Sequence, residues 1–362
     1  MKIAILTDTH FGIRNDNTAF HLASEKFFRR TFFPKLKEEG ITSVWHLGDL
    51  VDSRKYIDFR TLHVLYSHFL DPIEDFDFSI IAGNHDVYYK DTNKLNALEL
   101  LLDKEAKIYT EAQDVLVGGI QTFLLPWINE ENYHVSMQKM AETHSTMCFG
   151  HLEINGFKMD SGMPCEHGLD PAKFKKFDLT LSGHFHTPSS SGSITYLGAT
   201  GAYTWADYGT PRGFHIMDVD YPNDLQFVEN PFNVFRRYVY DDSTQESEER
   251  IFDDVKAIRE GRSSYSDVYV QLIIKNKQNP YLYNSLVDVI KASKPLKLTF
   301  DDLTENDVVE GEEEVVSIEN DTTTKHITTY IKGMNLGNRS DTMVRIMDSI
   351  YREALEIEKI GE

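Results

Sequence analysis

The sequence is poor in cysteine and in cationic side chains, and it lacks long hydrophobic runs. Only two of the 362 residues are cysteine, Cys148 and Cys165, which excludes a disulfide framework and a zinc knuckle and indicates a reducing compartment. No run of about twenty apolar residues occurs, as a membrane span requires. The first six residues are too short and too soon followed by an acidic residue to be a signal peptide. We therefore expect a cytoplasmic protein that does not enter membranes.

The balance of charge restricts how the protein could bind nucleic acid. The chain has 37 Lys and Arg against 58 Asp and Glu, a formal net charge of -21, which opposes non-specific attachment to DNA. If DNA is the substrate, metal ions, local basic patches or a partner must supply the attraction. Three basic clusters are candidate phosphate contacts or simply solvated edges: Arg29-Arg30, Lys173 with Lys175-Lys176, and Arg236-Arg237.

The pattern of elements predicts four segments. In residues 1–230, short β-branched and apolar runs alternate with helical spacing, which is typical of a layered α/β domain. Residues 231–300 follow a β-α-β-α-β pattern without a ligand motif, and their expected role is to shape the substrate. Residues 301–321 contain ten acidic side chains and no Lys or Arg, which predicts a solvated linker. Residues 322–362 return to helical spacing and are expected to dock onto a partner.

Five short polar fragments carry the chemistry, and each follows a predicted strand. They are Asp8-Thr9-His10, Gly48-Asp49-Leu50-Val51-Asp52, Gly83-Asn84-His85-Asp86, Gly150-His151 and Gly183-His184-Phe185-His186. Any one of these fragments is common in proteins without a metal site. Five of them, each at the end of a strand, are expected to meet at one edge of the sheets and to offer carboxylate, imidazole and amide ligands together.

This set of ligands fits a centre for two divalent metal ions. Two ions about 3.5 to 4 Å apart can bind a phosphate oxygen, activate water and stabilise the attacking and leaving oxygens. Asp49 follows a glycine that permits a sharp turn, and it suits the carboxylate that bridges both ions. The remaining ligands are divided between the ions: Asp8, His10 and His186 for one, and Asn84, His151 and His184 for the other. Mixed oxygen and imidazole ligands without thiolate favour manganese or iron over zinc, and we predict manganese.

Two further residues are predicted to be catalytic. His85 follows the ligand Asn84, so its ring can face the leaving oxygen as a general acid or as a positive charge. Asp52 lies three residues after Asp49, and its carboxylate is predicted to hold the His85 imidazole in one tautomer and to raise its pKa.

The helical segment near 18–39 contains five phenylalanines, more than one apolar stripe needs. It is either a core helix or a helix whose spare aromatic face joins a self-association surface. We predict a homodimer formed through the helices near 18–39 and 58–70.

The five fragments together resemble the motif set of the calcineurin-like metallophosphoesterases, over residues 2 to about 218. The surrounding sequence, including Ser53-Arg54, Tyr196-Leu197-Gly198 and Pro211-Arg212-Gly213-Phe214, resembles the SbcD-type recombination nuclease subunits, those of phages above all. The resemblance implies a four-layer α/β/β/α sandwich, a capping domain over DNA, and manganese-dependent exonuclease and endonuclease activity. It also implies that the helical tail docks on an SbcC-type coiled-coil ATPase, within the host cytoplasm if the chain is phage-encoded.

One departure and two alternatives accompany this resemblance. Cellular nucleases of the group commonly carry histidine where this chain has Asp52, whereas the wider superfamily has aspartate there. The first alternative is therefore a stand-alone phosphoesterase that acts on nucleotides or small phosphodiesters and does not need the tail. The second is a scaffold that has lost catalysis, and the complete set of ligands argues against it.

Overall fold

The computed structural model describes residues 1–102, 106–158 and 164–304. The predicted docking helices at 322–362 lie outside these residues, as does the predicted linker apart from residues 301–304. Within the described residues, no helix combines the length and apolar character that crossing a membrane requires.

Twelve strands form two six-stranded sheets. They are β1 (Lys2–Leu6), β2 (Ser43–His46), β3 (Asp77–Ile81), β4 (Lys107–Tyr109), β5 (Gln113–Val117), β6 (Ile120–Leu125), β7 (Met147–His151), β8 (Leu179–Gly183), β9 (Ser189–Ser191), β10 (Ile194–Tyr196), β11 (Gly213–Asp218) and β12 (Leu225–Glu229). The spatial orders are β12-β11-β1-β2-β3-β4 and β5-β6-β7-β8-β10-β9. In each sheet four strands run parallel, β1 to β4 in the first and β6, β7, β8 and β10 in the second.

The two sheets pack face to face, and helices cover their outer faces. Alternation along β1 shows this directly, because Ile3 and Ile5 join the core between the sheets while Ala4 and Leu6 face the helices. The inner core also contains Leu124 of the second sheet. The outer helical elements are Thr18–Phe27, Phe28–Phe32, Phe33–Glu38, Phe59–Leu65, Tyr66–Leu70, Asp71–Ile73, Leu98–Leu101, Tyr133–Glu142 and the 3₁₀ turn Pro171–Lys176. A second 3₁₀ turn, Trp205–Asp207, packs on Phe235 instead. The predicted four-layer α/β/β/α sandwich is confirmed.

The predicted helix from Thr18 to Glu39 contains a π-helical turn at Phe28–Phe32. Asn17 begins the helix, since its side chain accepts a hydrogen bond from the Ala19 N–H. The wider turn helps to bury the aromatic side chains on the sheet, and all five phenylalanines are at most 7% exposed: Phe20, Phe27, Phe28, Phe32 and Phe33. The interpretation of a spare aromatic face for self-association is therefore wrong. These rings fill the core.

The Phe32 ring is fully buried, and its neighbours include Phe33 at 5.1 Å and Phe214 at 4.8 Å between ring centroids. We expect Phe32→Ala to lower the free energy of unfolding by about 3 to 5 kcal/mol, because truncation leaves a cavity that the packed rings cannot close. Urea unfolding measures this change. The matched control is Tyr281→Ala, whose side chain is 75% exposed and whose effect should stay within about 0.5 kcal/mol. Equal effects of the two variants would contradict the packing described here.

A third sheet lies at the carboxyl-terminal end of the described chain. It consists of β13 (Phe235–Asp241), β14 (Tyr269–Asn276) and β15 (Lys297–Asp302), all parallel, with helices Gln245–Arg259 and Pro280–Ala292 packed on it. Aromatic contacts join it to the first helix, because Phe20 packs on Phe235 and Tyr269. The Asn17 side-chain amide also donates to the Tyr269 hydroxyl at 2.8 Å. This small module therefore lies against the segment that follows the first polar loop.

Candidate metal centre

The polar loops that follow β1, β2, β3 and β8 meet the end of β7 at one edge of the two sheets. Four residues of these loops have a left-handed backbone, with φ of 51° at Asp8, 42° at His10, 58° at Asp49 and 90° at His184. Such conformations are uncommon for residues other than glycine and persist where the surrounding structure enforces them, often at functional sites. All four are residues that the sequence predicts to be metal ligands.

Two glycines allow the loops to approach one another. A Cβ atom on Gly48, whose φ is 94°, would lie 2.5 Å from the His151 Nδ1 atom. A Cβ atom on Gly83 would lie 2.2 Å from the Asp49 Oδ1 atom. Glycine is therefore required at both positions because the backbone lies directly against candidate ligands.

The Asp49 carboxylate lies between two groups of side chains. Its Oδ2 atom is 3.6 Å from His10 Nε2 and 3.3 Å from His151 Nε2. Its Oδ1 atom accepts a hydrogen bond from the main-chain N–H of His85 at 2.7 Å. Asp49 is almost fully buried, at 1% exposed. Its position is the one that a bridging ligand needs.

The other predicted ligands are divided into two groups around Asp49. In the first group, His10 Nε2 lies 3.0 Å from His186 Nε2, and Asp8 Oδ1 lies 3.8 and 3.9 Å from these two atoms. In the second group, Asn84 Oδ1 lies 3.0 Å from His151 Nε2 and 2.8 Å from His184 Nδ1. Nitrogen and oxygen donors thus converge on two neighbouring points, and the residues present fit a pair of divalent ions.

A second layer of contacts fixes the orientation of the donor atoms. His151 Nδ1 donates to the Leu47 carbonyl at 2.7 Å, which leaves Nε2 directed at Asp49. His85 Nδ1 likewise donates to the main-chain carbonyl of Asp52 at 2.5 Å. A carbonyl can only accept, so the proton on Nδ1 follows from the partner.

The predicted role of the Asp52 carboxylate needs a correction. It lies 3.2 Å from His10 Nδ1, and it is the main-chain oxygen of Asp52 that contacts His85. The reason is a short parallel bridge in which Phe11 N–H donates to Leu50 and Asp52 N–H donates to Phe11. This pairing places the Asp52 side chain beside the first polar loop. Asp52 therefore orients the candidate ligand His10 through its side chain and His85 through its backbone.

Two supporting residues were not predicted from the sequence. Asp86 accepts hydrogen bonds at 2.8 Å from the N–H groups of Gly83, Asp49 and Leu50, and so holds two polar loops together. Its place beside Asn84 and His85 in one fragment was the available signal. The Tyr203 hydroxyl lies 2.7 Å from the Asp8 carbonyl and 2.9 Å from that of Thr9. No local pattern reveals that contact, because the residues are about two hundred positions apart.

We expect Asp86→Asn to weaken manganese binding by about 10- to 100-fold, the usual effect of losing a partner that orients metal ligands. Asparagine keeps one acceptor oxygen and replaces the other with a donor that opposes the N–H groups of the two loops. Isothermal titration of the metal-free protein measures the affinity. Asp91→Asn, on the following exposed turn, is the control, and unchanged affinity in the Asp86 variant would contradict the role assigned to it.

The carboxylates and imidazoles strongly perturb one another in the metal-free site. Burial alone would lower the pKa of His10, but Asp52, Asp49 and Asp8 outweigh it and raise that pKa to about 9. Burial also lowers the pKa of His151, but the Asp49 carboxylate outweighs this effect and raises that pKa to about 9. Burial lowers the pKa of His184 to about 3, and nearby His151 adds to this effect. Protons on His10 and His151 thus occupy positions that a cation would take.

Metal affinity should therefore rise with pH. Below about pH 9 the pKa values of His10 and His151 keep both rings protonated in the metal-free protein, and ligation needs their neutral forms. For each proton that the metal displaces, the metal affinity rises by up to about tenfold per pH unit. Displacing the protons of both His10 and His151 therefore raises it by up to about 100-fold per pH unit. Titration with manganese at pH 6.5 and 7.5, in buffers of different ionisation enthalpy, measures both the affinity and the protons released. A pH-independent affinity would contradict this prediction.

Comparisons with known proteins agree with the geometry. The sequence profile of the calcineurin-like phosphoesterases matches residues 1–188, more than half of the chain. Exonuclease subunit 1 of Enterobacteria phage T4 is 32% identical over 244 residues, which cover 66% of this chain and 71% of the phage protein. A purple acid phosphatase from yellow lupin (Lupinus luteus) seeds is 11% identical with a TM-score of 0.38, over 63% of this chain and about half (52%) of that structure's chain. The chain belongs to the calcineurin-like phosphoesterase family and is a metal-dependent hydrolase of phosphate esters.

Proposed function

We propose that this protein is a manganese-dependent DNA nuclease, with exonuclease and endonuclease activity, that works in a complex with an SbcC-type coiled-coil ATPase. The observation that carries the proposal is the Asp49 carboxylate between two groups of candidate ligands, one around His10 and one around His151. The similarity to a phage protein named as an exonuclease subunit supports a nucleic-acid substrate and a partner. On this proposal, residues 231–300 shape the DNA and residues 322–362 dock on the ATPase.

The chain's own residues have distinct tasks in phosphodiester cleavage. When bound, two divalent ions supply Lewis acidity toward the phosphoryl oxygens and lower the pKa of water. Asp49 and the histidines would hold these ions, and Asp49, His10 and His151 are buried. His85 is anchored through Nδ1 on the Asp52 carbonyl, so Nε2 is the atom that can hold a proton for the leaving oxygen.

Arg54 is a further candidate contact to substrate. Its Nη1 atom is buried without a hydrogen-bond partner among the described residues, and Asp49 is the carboxylate that acts on its charge. Burial lowers the pKa of its guanidinium, although arginine remains charged. On this proposal, the Arg54 guanidinium, which the charge of Asp49 influences, binds the phosphate undergoing cleavage.

We also propose a homodimer formed through the helix Phe59–Leu65 and the segment before it, together with the solvent-facing side of the helix near 18–39. Phe59 is 88% exposed and Tyr56 is 63% exposed, and large exposed aromatics are typical anchors of protein interfaces. Sedimentation velocity of wild type and Phe59→Glu tests this part. A monomeric wild type would contradict it.

A stand-alone phosphoesterase for small phosphodiesters remains the second candidate, and the net charge of -21 favours it. Cleavage of a labelled linear duplex and a single-stranded circle, compared with a chromogenic small diester, separates the two functions. The nuclease proposal predicts DNA cleavage with manganese, and stimulation by an SbcC-type ATPase that disappears when residues 322–362 are deleted. Turnover of the small diester without DNA cleavage, even with the ATPase present, would favour the second candidate.

A further inference from the structure

A cleft of about 280 Å³ lies where the chain leaves strand β12 of the first sandwich sheet and enters the third sheet. One wall is formed by residues 201–202 and 208–212, and the other by residues 229–233 and Arg236. Two arginines, Arg212 and Arg236, line it together, and the acidic side chain that lines it is the exposed Glu229. The two cations in this cleft run against the chain's net charge of -21.

Arg212 is buried with part of its hydrogen-bonding capacity unused. Its side chain is 3% exposed, and its Nη2 atom donates to Asp207 Oδ1 at 2.5 Å. Its Nε and Nη1 atoms are buried and have no partner among the described residues. Buried N–H groups of a charged side chain are rarely left without an acceptor, so a ligand with acceptor oxygens is expected here.

Asp207 does not satisfy these remaining donors. Its Oδ2 atom accepts hydrogen bonds at 2.8 Å from the main-chain N–H groups of Tyr203 and Thr204. The carboxylate therefore holds one side of the guanidinium and ties it to the turn after Tyr203. The donors that remain are fixed in place before any ligand binds, which lowers the entropic cost of binding.

Arg236 supplies a second, more accessible cation. It is half-buried, its Nη1 atom donates to the Phe235 carbonyl at 3.1 Å, and it makes no ion pair with the described carboxylates. One rigid guanidinium at depth and one adjustable guanidinium above it form an arrangement that suits a tetrahedral anion with several acceptor oxygens.

We infer that this cleft binds a phosphate of the nucleic-acid backbone, at a position outside the reacting centre. The inference rests on the proposed nuclease function. Its location supports it, because Ala202 lines the cleft and the next residue, Tyr203, contacts the carbonyls of Asp8 and Thr9. A nucleic-acid strand whose phosphate occupies the cleft thus passes beside the polar loop that contains Asp8 and Thr9. Phosphate contacts of this kind set the register of the substrate and carry no base specificity.

The test measures binding of a labelled single-stranded 20-mer to the full chain by fluorescence anisotropy, in EDTA and over a range of KCl concentrations. The variants are Arg236→Gln and Arg212→Lys, the second of which keeps a charge for Asp207 and loses the guanidinium fork. We expect each to weaken binding by about tenfold. Arg236→Gln should also reduce the slope of log affinity against log salt by about 0.7, the value for one phosphate of a single strand. Arg250→Gln, in a different cleft, should change neither.

The possible results separate this inference from the function on which it rests. Unchanged affinity and slope in both variants, with wild type that binds and cuts DNA, would overturn the inference alone. Calorimetry with inorganic phosphate is the second measurement. If the variants lose phosphate binding but still bind DNA as wild type does, the cleft is a site for free phosphate, and the inference of a DNA contact is also overturned. Wild type that neither binds nor cuts DNA, even with an SbcC-type ATPase present, would reject the nuclease function and the inference with it. As a control for an intact metal centre, the Arg236→Gln variant should hydrolyse a small diester with manganese at the wild-type rate.

Discussion

Replacing His85 with serine should lower kcat for phosphodiester cleavage by about two to four orders of magnitude while two manganese ions remain bound. The ring is held through Nδ1 by the Asp52 carbonyl and packs against the candidate ligand His10, with 4.8 Å between ring centroids. It is thus next to the metal centre without belonging to either group of ligands. Loss of a positioned proton donor costs about this much in rate, and loss of a ligand would also remove metal.

The measurement combines DNA cleavage under saturating substrate with metal analysis of the same samples. His134→Ser is the matched control, because His134 is exposed on the helix Tyr133–Glu142, and its variant should retain full activity. A His85 variant that keeps wild-type kcat would remove this residue from the reaction. A variant that loses metal would make it a ligand.

The second large effect is expected from Asp49→Asn. The Asp49 Oδ2 atom stands between His10 and His151, and His151, His85 and His10 overcome the effect of burial to hold its pKa well below the usual range. Asparagine offers one oxygen and no charge, so the two ions lose the anion that keeps them close together. Manganese affinity should fall by more than the roughly 10- to 100-fold expected on losing a residue that only orients metal ligands. DNA cleavage should become undetectable.

Asp52→Asn is the matched control for that substitution. Its carboxylate contacts His10 Nδ1, and the variant keeps the main-chain carbonyl that anchors His85. We expect metal affinity to fall by at most about 100-fold, with cleavage recovered at high manganese concentration. Equal losses of manganese affinity and of cleavage in the Asp49 and Asp52 variants would contradict the distinction between a bridging carboxylate and an orienting one.

Much of the fold could be predicted from the sequence because the strands are short apolar runs that end in polar fragments. Ile3 and Ile5 alternate with Ala4 and Leu6, and this period of two holds because each face of the strand is covered by a different layer. The convergence of Asp8, Asp49 and Asn84 could also be predicted, because parallel strands place their carboxyl ends at one edge. Asp58 and Asn17 likewise begin helices with their side chains as caps.

The remaining features depend on contacts that local patterns do not encode. The π-helical turn at Phe28–Phe32 arises where several rings must pack on one sheet face, and spacing alone indicated a regular helix with a surplus of aromatics. Asp52 was assigned to His85 by its distance along the chain, whereas the bridge between Phe11 and Val51 places its carboxylate on His10. Tyr203 reaches the first polar loop from a distant segment, so only the tertiary structure reveals it.

The most direct test of the central claim is anomalous diffraction from crystals of this protein grown with manganese. Two peaks about 3.5 to 4 Å apart, with the Asp49 carboxylate contacting both, are the predicted result. Asp8, His10 and His186 should surround one peak, and Asn84, His151 and His184 the other. A single peak, or two peaks with Asp49 bound to only one, would contradict the two-metal centre on which the proposed nuclease activity depends.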